Sequence, residues 1–366
     1  MNRFSPVCFG LSWLIFRLAE TGFAAGAAAA GKEAPPPSPP LPGIESIRLE
    51  PASVTLENGW DARRVLVLGK TKSGDAIDLT GHATFRAESP NVETKNRIVY
   101  PKNKGEAVIA VSAAGLEAKL PVTVRSAERT GVRFVRDIMP ILSKVGCNAG
   151  TCHGSAKGKN GFKLSLRGYD PDFDYQALIE DLSGRRFNRV AVDESLMLLK
   201  PTGDVPHEGR QVLQQNSREY QMLRQWIAEG TKHENAALGR ATKVEVVPKD
   251  ISITLPGMTQ HVLVFAHYPE GAIRDVTRDA VLSISNTDVA EVKDGVVTSL
   301  RRGEGALLVR YEGLYATQGI TVMGDRTGFV WRDVPESNYI DTHVNAKLKK
   351  MKILPSEVCT DSEFIR

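Results

Sequence analysis

"KGEAVIAVSAAGLEAKLPVTV" (residues 104–124) reads as a β-hairpin closing around Gly115. The same pattern returns as "RGEGALLVRYEGLYATQGITV" (302–322). Working outward, "IRLEPASVTL" (47–56) is matched by "VEVVPKDISITL" (244–255), and "SGDAIDLT" (73–80) by "EGAIRDVT" (270–277). Period-two alternation in "IESIRLEPASVTL" and "ARRVLVLGKT", with a turn at Gly74, predicts short strands. Such strands within about 80 residues fit a small β-sandwich. The chain therefore carries two copies of one unit, roughly 200 residues apart. Two copies do not make a solenoid, which needs at least three.

The chain has 366 residues, enough for two to four domains. It is 42% hydrophobic and 25% charged, with a net charge of +4, as in ordinary globular protein. No long basic run or interleaved aromatic face points to nucleic acid. At the N-terminus, Arg3, the apolar "PVCFGLSWLIF" and the small-residue "AETGFAAGAAAAG" read as a signal peptide over 1–30. Its apolar core is shorter than the ~20 residues a membrane span needs, so cleavage is expected and no span remains. The protein is expected to be exported: periplasmic, cell-surface or extracellular. A Pro-rich linker follows at 31–43.

Between the sandwiches, 130–232 is glycine-rich with helical patches. "DIMPILSKVG" predicts a short helix with Asp137 as N-cap and Pro140 in its first turn. "SREYQMLRQWIAEG" predicts a clearer one, capped by Ser217, with Tyr220, Leu223, Trp226 and Ile227 on its apolar face and Gly230 at its end. Of four cysteines, Cys8 leaves with the signal, Cys359 has no obvious partner, and Cys147 and Cys152 lie together in "CNAGTCHG" (147–154). A disulfide framework is excluded. Four readings of the cluster compete. A Cys147–Cys152 disulfide is one. Zinc lacks a fourth ligand at suitable spacing. A thioredoxin-type pair would need C-x-x-C after a strand. Haem accounts for His153 following the second cysteine directly, although the usual spacing is C-x-x-C-H.

"PILSKVGCNAGTCHGSAKGKNGFKLSLRGYDPDFDY", "ESLMLLKPTGDVPHEGR" and "SREYQMLRQWIAEG" together resemble the planctomycete-type cytochrome c domain. The repeated segments resemble the bacterial immunoglobulin-like domain of group 2. "FVWRDVPESNYIDTHVNAKLKKMKILPSEVCTDSEFIR" resembles the start of the uncharacterised domain that commonly follows the cytochrome domain. These resemblances imply modules at 44–126 (immunoglobulin-like), 130–232 (cytochrome c-like), 243–324 (immunoglobulin-like) and 327–366 (a truncated α-helical region). The implied fold class is two all-β sandwiches flanking a mainly α domain. They imply one haem c, with its iron, attached through Cys147 and Cys152 and ligated by His153. His207 is the expected sixth ligand and Met197 the alternative. The implied function is electron transfer to a redox partner within a larger exported protein.

The competing expectation is a haem-free cell-surface binding or scaffold protein with a Cys147–Cys152 disulfide, in contact with an extracellular polymer or cell-surface component. No P-loop, nucleophile elbow or dinucleotide fingerprint is present, so no catalytic site is readable. Lys157, Lys159, Lys163 and Arg167 form a basic stretch, read as a solvated loop or a steering patch. Asp170, Asp172 and Asp174 are expected in turn and capping roles rather than as a calcium loop. His82, His233, His261, His267 and His343 are isolated and receive no function. The last helix is expected to be capped by Thr360 or Asp361. Because the chain stops within it, the sequence is expected to be a fragment.

Overall fold

A computed structural model describes residues 43–366 apart from 73, 75, 235–238 and 358. The predicted signal peptide and all but the last residue of the linker lie outside the described residues. The first unit contains β1 (Ile44–Glu50), β2 (Val54–Leu56), β3 (Arg63–Arg64), β4 (Leu66–Thr71), β5 (Ala76–Asp78), β6 (Thr84–Ala87), β7 (Val92–Lys95), β8 (Ile98–Pro101), β9 (Gly105–Ala113) and β10 (Leu116–Val124). The second contains β11 (Lys243–Val247), β12 (Ile251–Ile253), β13 (Thr259–His261), β14 (Leu263–His267), β15 (Ile273–Asp275), β16 (Val281–Ile284), β17 (Ala290–Lys293), β18 (Val296–Ser299), β19 (Gly303–Tyr311) and β20 (Leu314–Val322). Their sheet orders correspond strand for strand. β1-β4-β5 matches β11-β14-β15, β2-β10-β9-β6 matches β12-β20-β19-β16, and β3-β8-β7 matches β13-β18-β17.

The hairpin expected around Gly115, and again in the repeat at 302–322, forms in both units. β9 and β10 pair in register from Gly105↔Val124 to Ala113↔Leu116, and β19 and β20 from Gly303↔Val322 to Tyr311↔Leu314. Each two-residue turn has both central residues at positive φ: Ala114 and Gly115, then Glu312 and Gly313. That is the turn whose twist matches the flanking strands. Inward-facing residues of the first unit, such as Leu56, Ile109 and Leu120, are fully buried. Ile253 and Leu307, the counterparts of Leu56 and Ile109, lie in the second core with Val322.

The two units meet through a reciprocal contact. Asp78 and Asp275 occupy corresponding positions, and each accepts a bond from the N–H two residues on, at Thr80 and Thr277. Each carboxylate then reaches across. Asp78 Oδ2 accepts the His261 backbone N–H at 2.5 Å and faces His261 Nδ1 at 2.7 Å. Asp275 Oδ2 accepts the Arg64 N–H at 2.8 Å. Leu66 and Leu68 pack on Val247 and Leu263 between these bonds. One surface thus meets its own repeat, as in an isologous dimer, within one chain.

The expected fold class is corrected in the segment between the units. No mainly α cytochrome c-like domain forms there. The described residues contain six sheets, and the intervening helices are short. They are α1 (Met139–Lys144), α2 (Pro171–Ile179), α3 (Leu196–Thr202) and α4 (Arg218–Ala228), of 6, 9, 7 and 11 residues. The physical reason is visible in the loop after α1, where Gly146, Gly158, Gly161 and Gly168 all take positive φ and prevent a helix from propagating. A π-helical turn at Phe134–Ile138 leads into α1. Asp137 is not the N-cap: its carboxylate accepts from Arg133 N–H and pairs with Arg274 at 2.9 Å. Ser217 does cap α4, accepting from Tyr220 N–H. Phe134 stacks on Trp226 with ring centroids 5.3 Å apart, and Tyr175 meets Phe134 edge-on. Farther on, α5 (Tyr339–Lys350) and α6 (Asp361–Phe364) carry capping boxes at Asn338 and Thr360.

A buried polar group holds the chain that leads into the second sandwich. Glu312 Oε2 accepts the Ala241 N–H at 2.6 Å, and Glu312 Oε1 accepts the Tyr268 hydroxyl at 3.1 Å. Tyr268 also meets the Tyr311 hydroxyl at 3.1 Å. Burial pushes the Glu312 carboxyl up from 4.5 to about 7. Trp226→Ala should cost about 3–5 kcal/mol of unfolding free energy, measured by urea denaturation, because it empties the centre of the segment's core. A second expectation concerns pH. The folded state holds the Glu312 proton more tightly than the unfolded chain does. Its contribution to stability is therefore present below about pH 4.5 and declines as the pH rises towards about 7. Melting curves across this range should show that component in the native protein and lose it in Glu312→Gln.

Candidate functional site

α1 ends because Gly146 turns left-handed, and the chain doubles back at once. Cys147 N–H donates to Leu142 O at 2.9 Å, and His153 N–H returns to Cys147 O at 3.0 Å. Cys147 and Cys152 therefore lie at the base of one tight loop. Asn148 is buried inside it, donating through Nδ2 to Ser143 Oγ. Gly154 must be glycine, since a Cβ there would sit 2.1 Å from Asn148 O. Leu164 N–H then donates to His153 O at 2.8 Å and closes the loop against the following strand-like segment.

The loop forms one wall of a cavity of about 400 Å³. Cys147, Cys152, His153, Met197, His207 and Arg186 all line it. His153 Nδ1–H donates to Phe162 O at 3.0 Å, the only role open to that atom opposite a carbonyl. His207 Nδ1–H is held in the same way by Arg210 O at 3.0 Å. The two rings face each other with centroids 6.5 Å apart and planes 10° apart. Burial lowers the His153 pKa, so its ring stays neutral further into acid than a free imidazole. Met197 belongs to the central core and shows only its edge to the cavity. Arg186 lies over the Phe162 ring at 4.0 Å. Every residue named for the site from sequence thus reaches this cavity, although 60 positions separate the first from the last.

The two cysteines are free thiols in the structure. Burial, reinforced by Cys152 alongside, pushes the Cys147 thiol up to about 12. It is consequently protonated and poorly nucleophilic at neutral pH. Of the other expectations, Asp170 caps α2 by accepting from Phe173 N–H. Asp174 instead turns inward and accepts from Ser165 N–H and Ser165 Oγ, and burial raises its carboxyl to about 6. Lys163 leans on the Phe173 ring, while Lys157, Lys159 and Arg167 lie on the surface. The histidines given no role include two that matter to the fold. His261 reads Asp78 across the sandwich interface, and His233 pairs with Asp172 at 2.9 Å. No local pattern in the sequence marks either contact.

No family model matches the chain, and no curated protein matches it. Several solved structures are similar. Domains 5–6 of the S-layer protein SbsC align over 78% of this chain and 100% of that one, with 13% identity and a TM-score of 0.32. Domains 4–9 of the same surface layer protein align over 78% of this chain and 32% of that one, with 13% identity and a TM-score of 0.30. Extracellular domains 3–5 of Drosophila OTK align over 76% and 61%, with 5% identity and a TM-score of 0.16. At such scores the sandwich assignment rests on the observed strand order and register.

The family and cofactor expectations are corrected accordingly. The chain is not identified as a planctomycete-type cytochrome c protein with group-2 immunoglobulin-like domains and a following uncharacterised domain. Its centre is a set of short helices and glycine loops between β-sandwiches. Among the described residues, no group of three or more His, Cys, Asp or Glu side chains could hold a metal ion. Haem c and iron are withdrawn as the cofactor, and with them the electron-transfer reading. No helix among the described residues is long and apolar enough to cross a membrane.

Thiol reactivity gives a direct check of this geometry. In reduced native protein at pH 8, iodoacetamide should modify exposed Cys359 quickly and half-buried Cys147, with its raised thiol pKa, more slowly, as read by peptide mass mapping. Rapid labelling of Cys147 in the native state would show that the loop does not bury it.

Proposed function

We propose that this protein is a haem-free scaffold of the cell surface or extracellular space, built to hold two sandwiches at a fixed relation through the segment between them. The observation that carries the reading is the polar bonding between its parts. Besides the reciprocal Asp78 and Asp275 contacts, Arg274 pairs with Asp137, Arg218 with Asp279 at 2.9 Å, and Lys144 donates to Ala280 O at 2.8 Å. Partly buried pairs of this kind specify one arrangement, whereas a flexible tether would leave them solvated. In this reading 44–126, 130–232, 243–324 and 327–366 are successive modules behind a cleaved signal peptide at 1–30 and a linker at 31–43. The partner is an extracellular polymer or another surface component.

Two finer features belong to the proposal. In an oxidising compartment Cys147 and Cys152 join as a disulfide that staples the glycine loop. The cavity lined by Cys147, Cys152, His153, Met197 and His207 takes a small, largely apolar ligand, as its volume suits.

The test is export of the full chain in a bacterial host able to attach c-type haem. The expected product is colourless after denaturation, has no free thiol at 147 or 152, and is cut by protease added to intact cells. Haem absorbance that stays with the denatured polypeptide, and is lost in a Cys147→Ala/Cys152→Ala variant, would overturn the proposal.

A further inference from the structure

The cavity beside Cys147 and Cys152 combines an uncharged interior with a cationic rim. Its apolar lining includes Phe162, Leu164, Leu196 and Met197, of which Leu164 and Met197 are buried. The titratable groups among them carry no charge at neutral pH. Cys147 remains a thiol, and burial keeps the His153 ring neutral. The Nδ1–H of each imidazole is already committed to a backbone carbonyl.

The charged part of the lining is one-sided. Lys159, Arg185, Arg186 and Lys200 all border the cavity, against the single carboxylate of Glu208. None of these four cations forms an ion pair among the described residues. Lys159, Arg185 and Lys200 are exposed, so water serves them. Arg186 is different, being only 8% exposed. Its Nη1 donates to Asp181 O at 3.0 Å, and its guanidinium lies over the Phe162 ring. Burial lowers its pKa; the Asp181 carboxylate opposes that shift and Arg185 adds to it. A guanidinium taken out of water without a carboxylate partner is costly.

These charges gather at one wall. Arg186 and Lys200 are both near enough to His153 to disfavour a proton on its ring. The Phe162 ring beneath Arg186 also meets the His153 ring, with centroids 4.5 Å apart. Positive charge beside an apolar, partly enclosed space acts over a longer range than it would in water.

Resting on the reading of this cavity as a ligand pocket, we propose that its ligand is a small organic acid, with an apolar body seated against Phe162, Leu164 and Met197 and a carboxylate directed to the wall of Arg186 and Lys200. The planar fork of an arginine matches a carboxylate, and the acid supplies the partner that Arg186 lacks within the protein. A neutral molecule of the same shape leaves the guanidinium unpaired. An amine of that shape brings a like charge against the cationic rim.

The test is calorimetric titration of the reduced full chain with three ligands of one shape: 2-naphthoate, 2-naphthylmethanol and 2-naphthylmethylammonium. The acid should bind about tenfold more tightly than the alcohol, and the ammonium should not bind. Arg186→Gln and Lys200→Gln should each weaken the acid several-fold and leave the alcohol unchanged. Lys200 is exposed, so its variant keeps the test intact if Arg186→Gln fails to fold. Bound naphthoate should also slow alkylation of Cys152, which places it in this cavity. Equal affinity for acid and alcohol, or an acid affinity indifferent to Lys200→Gln, would overturn the inference and leave the pocket standing. Failure of all three to bind would overturn the pocket reading itself, and the inference with it.

Discussion

Two aspartates on corresponding strands, each bonding its own turn and then the opposite repeat, hold this molecule together. Asp78 and Asp275 each use one oxygen to order the residues that follow and the other to reach the neighbouring unit. The local bonds are the same in both repeats, with Thr80 and Thr277 in turn accepting from Val67 and Val264. The long-range bonds differ only in what they find, a histidine on one side and an arginine on the other. A duplicated unit thus carries its own interface, and the segment between the copies has to fit the space that interface leaves.

That constraint accounts for the character of residues 130–232. They bury a compact aromatic centre of Phe134, Tyr175 and Trp226, yet their helices are brief and their loops rich in left-handed glycines. Several of their charged side chains reach the second sandwich, Asp137 pairing with Arg274 and Arg218 with Asp279. Arg240, just past the end of the segment, donates back to the carbonyls of Gly168 and Tyr169. Where α4 meets both sandwiches, arginines and carboxylates interleave: Arg218 reaches Asp279 and Glu219, and Arg278 reaches Glu219 as well.

The cavity beside Cys147 and Cys152 separates a motif from its chemistry. The sequence cluster is real in three dimensions: both cysteines, His153, Met197 and His207 converge. Haem attachment does not follow from that convergence. The Cys147 side chain is half-buried with its thiol pKa raised, and each imidazole donates Nδ1–H to a backbone carbonyl, which fixes its tautomer. Those features describe a pocket lined by both thiols and both imidazoles.

Much of the local structure was legible from the chain alone. The repeated segments marked the hairpins of 104–124 and 302–322, Gly115 marked where the first reverses, and Ser217 marked the start of α4. These features depend on a few neighbouring residues, so a linear reading captures them. The tertiary structure alone decided that His261 would meet Asp78 across 183 positions, that Asp137 would pair with Arg274 instead of capping a helix, and that Trp60, Arg64 and Arg218 would share a cavity. Periodicity tells which face of a strand or helix is buried, but not against which other face. That choice is made by shape and charge between segments far apart in the chain, and it is where the central domain departed from its expected helical form.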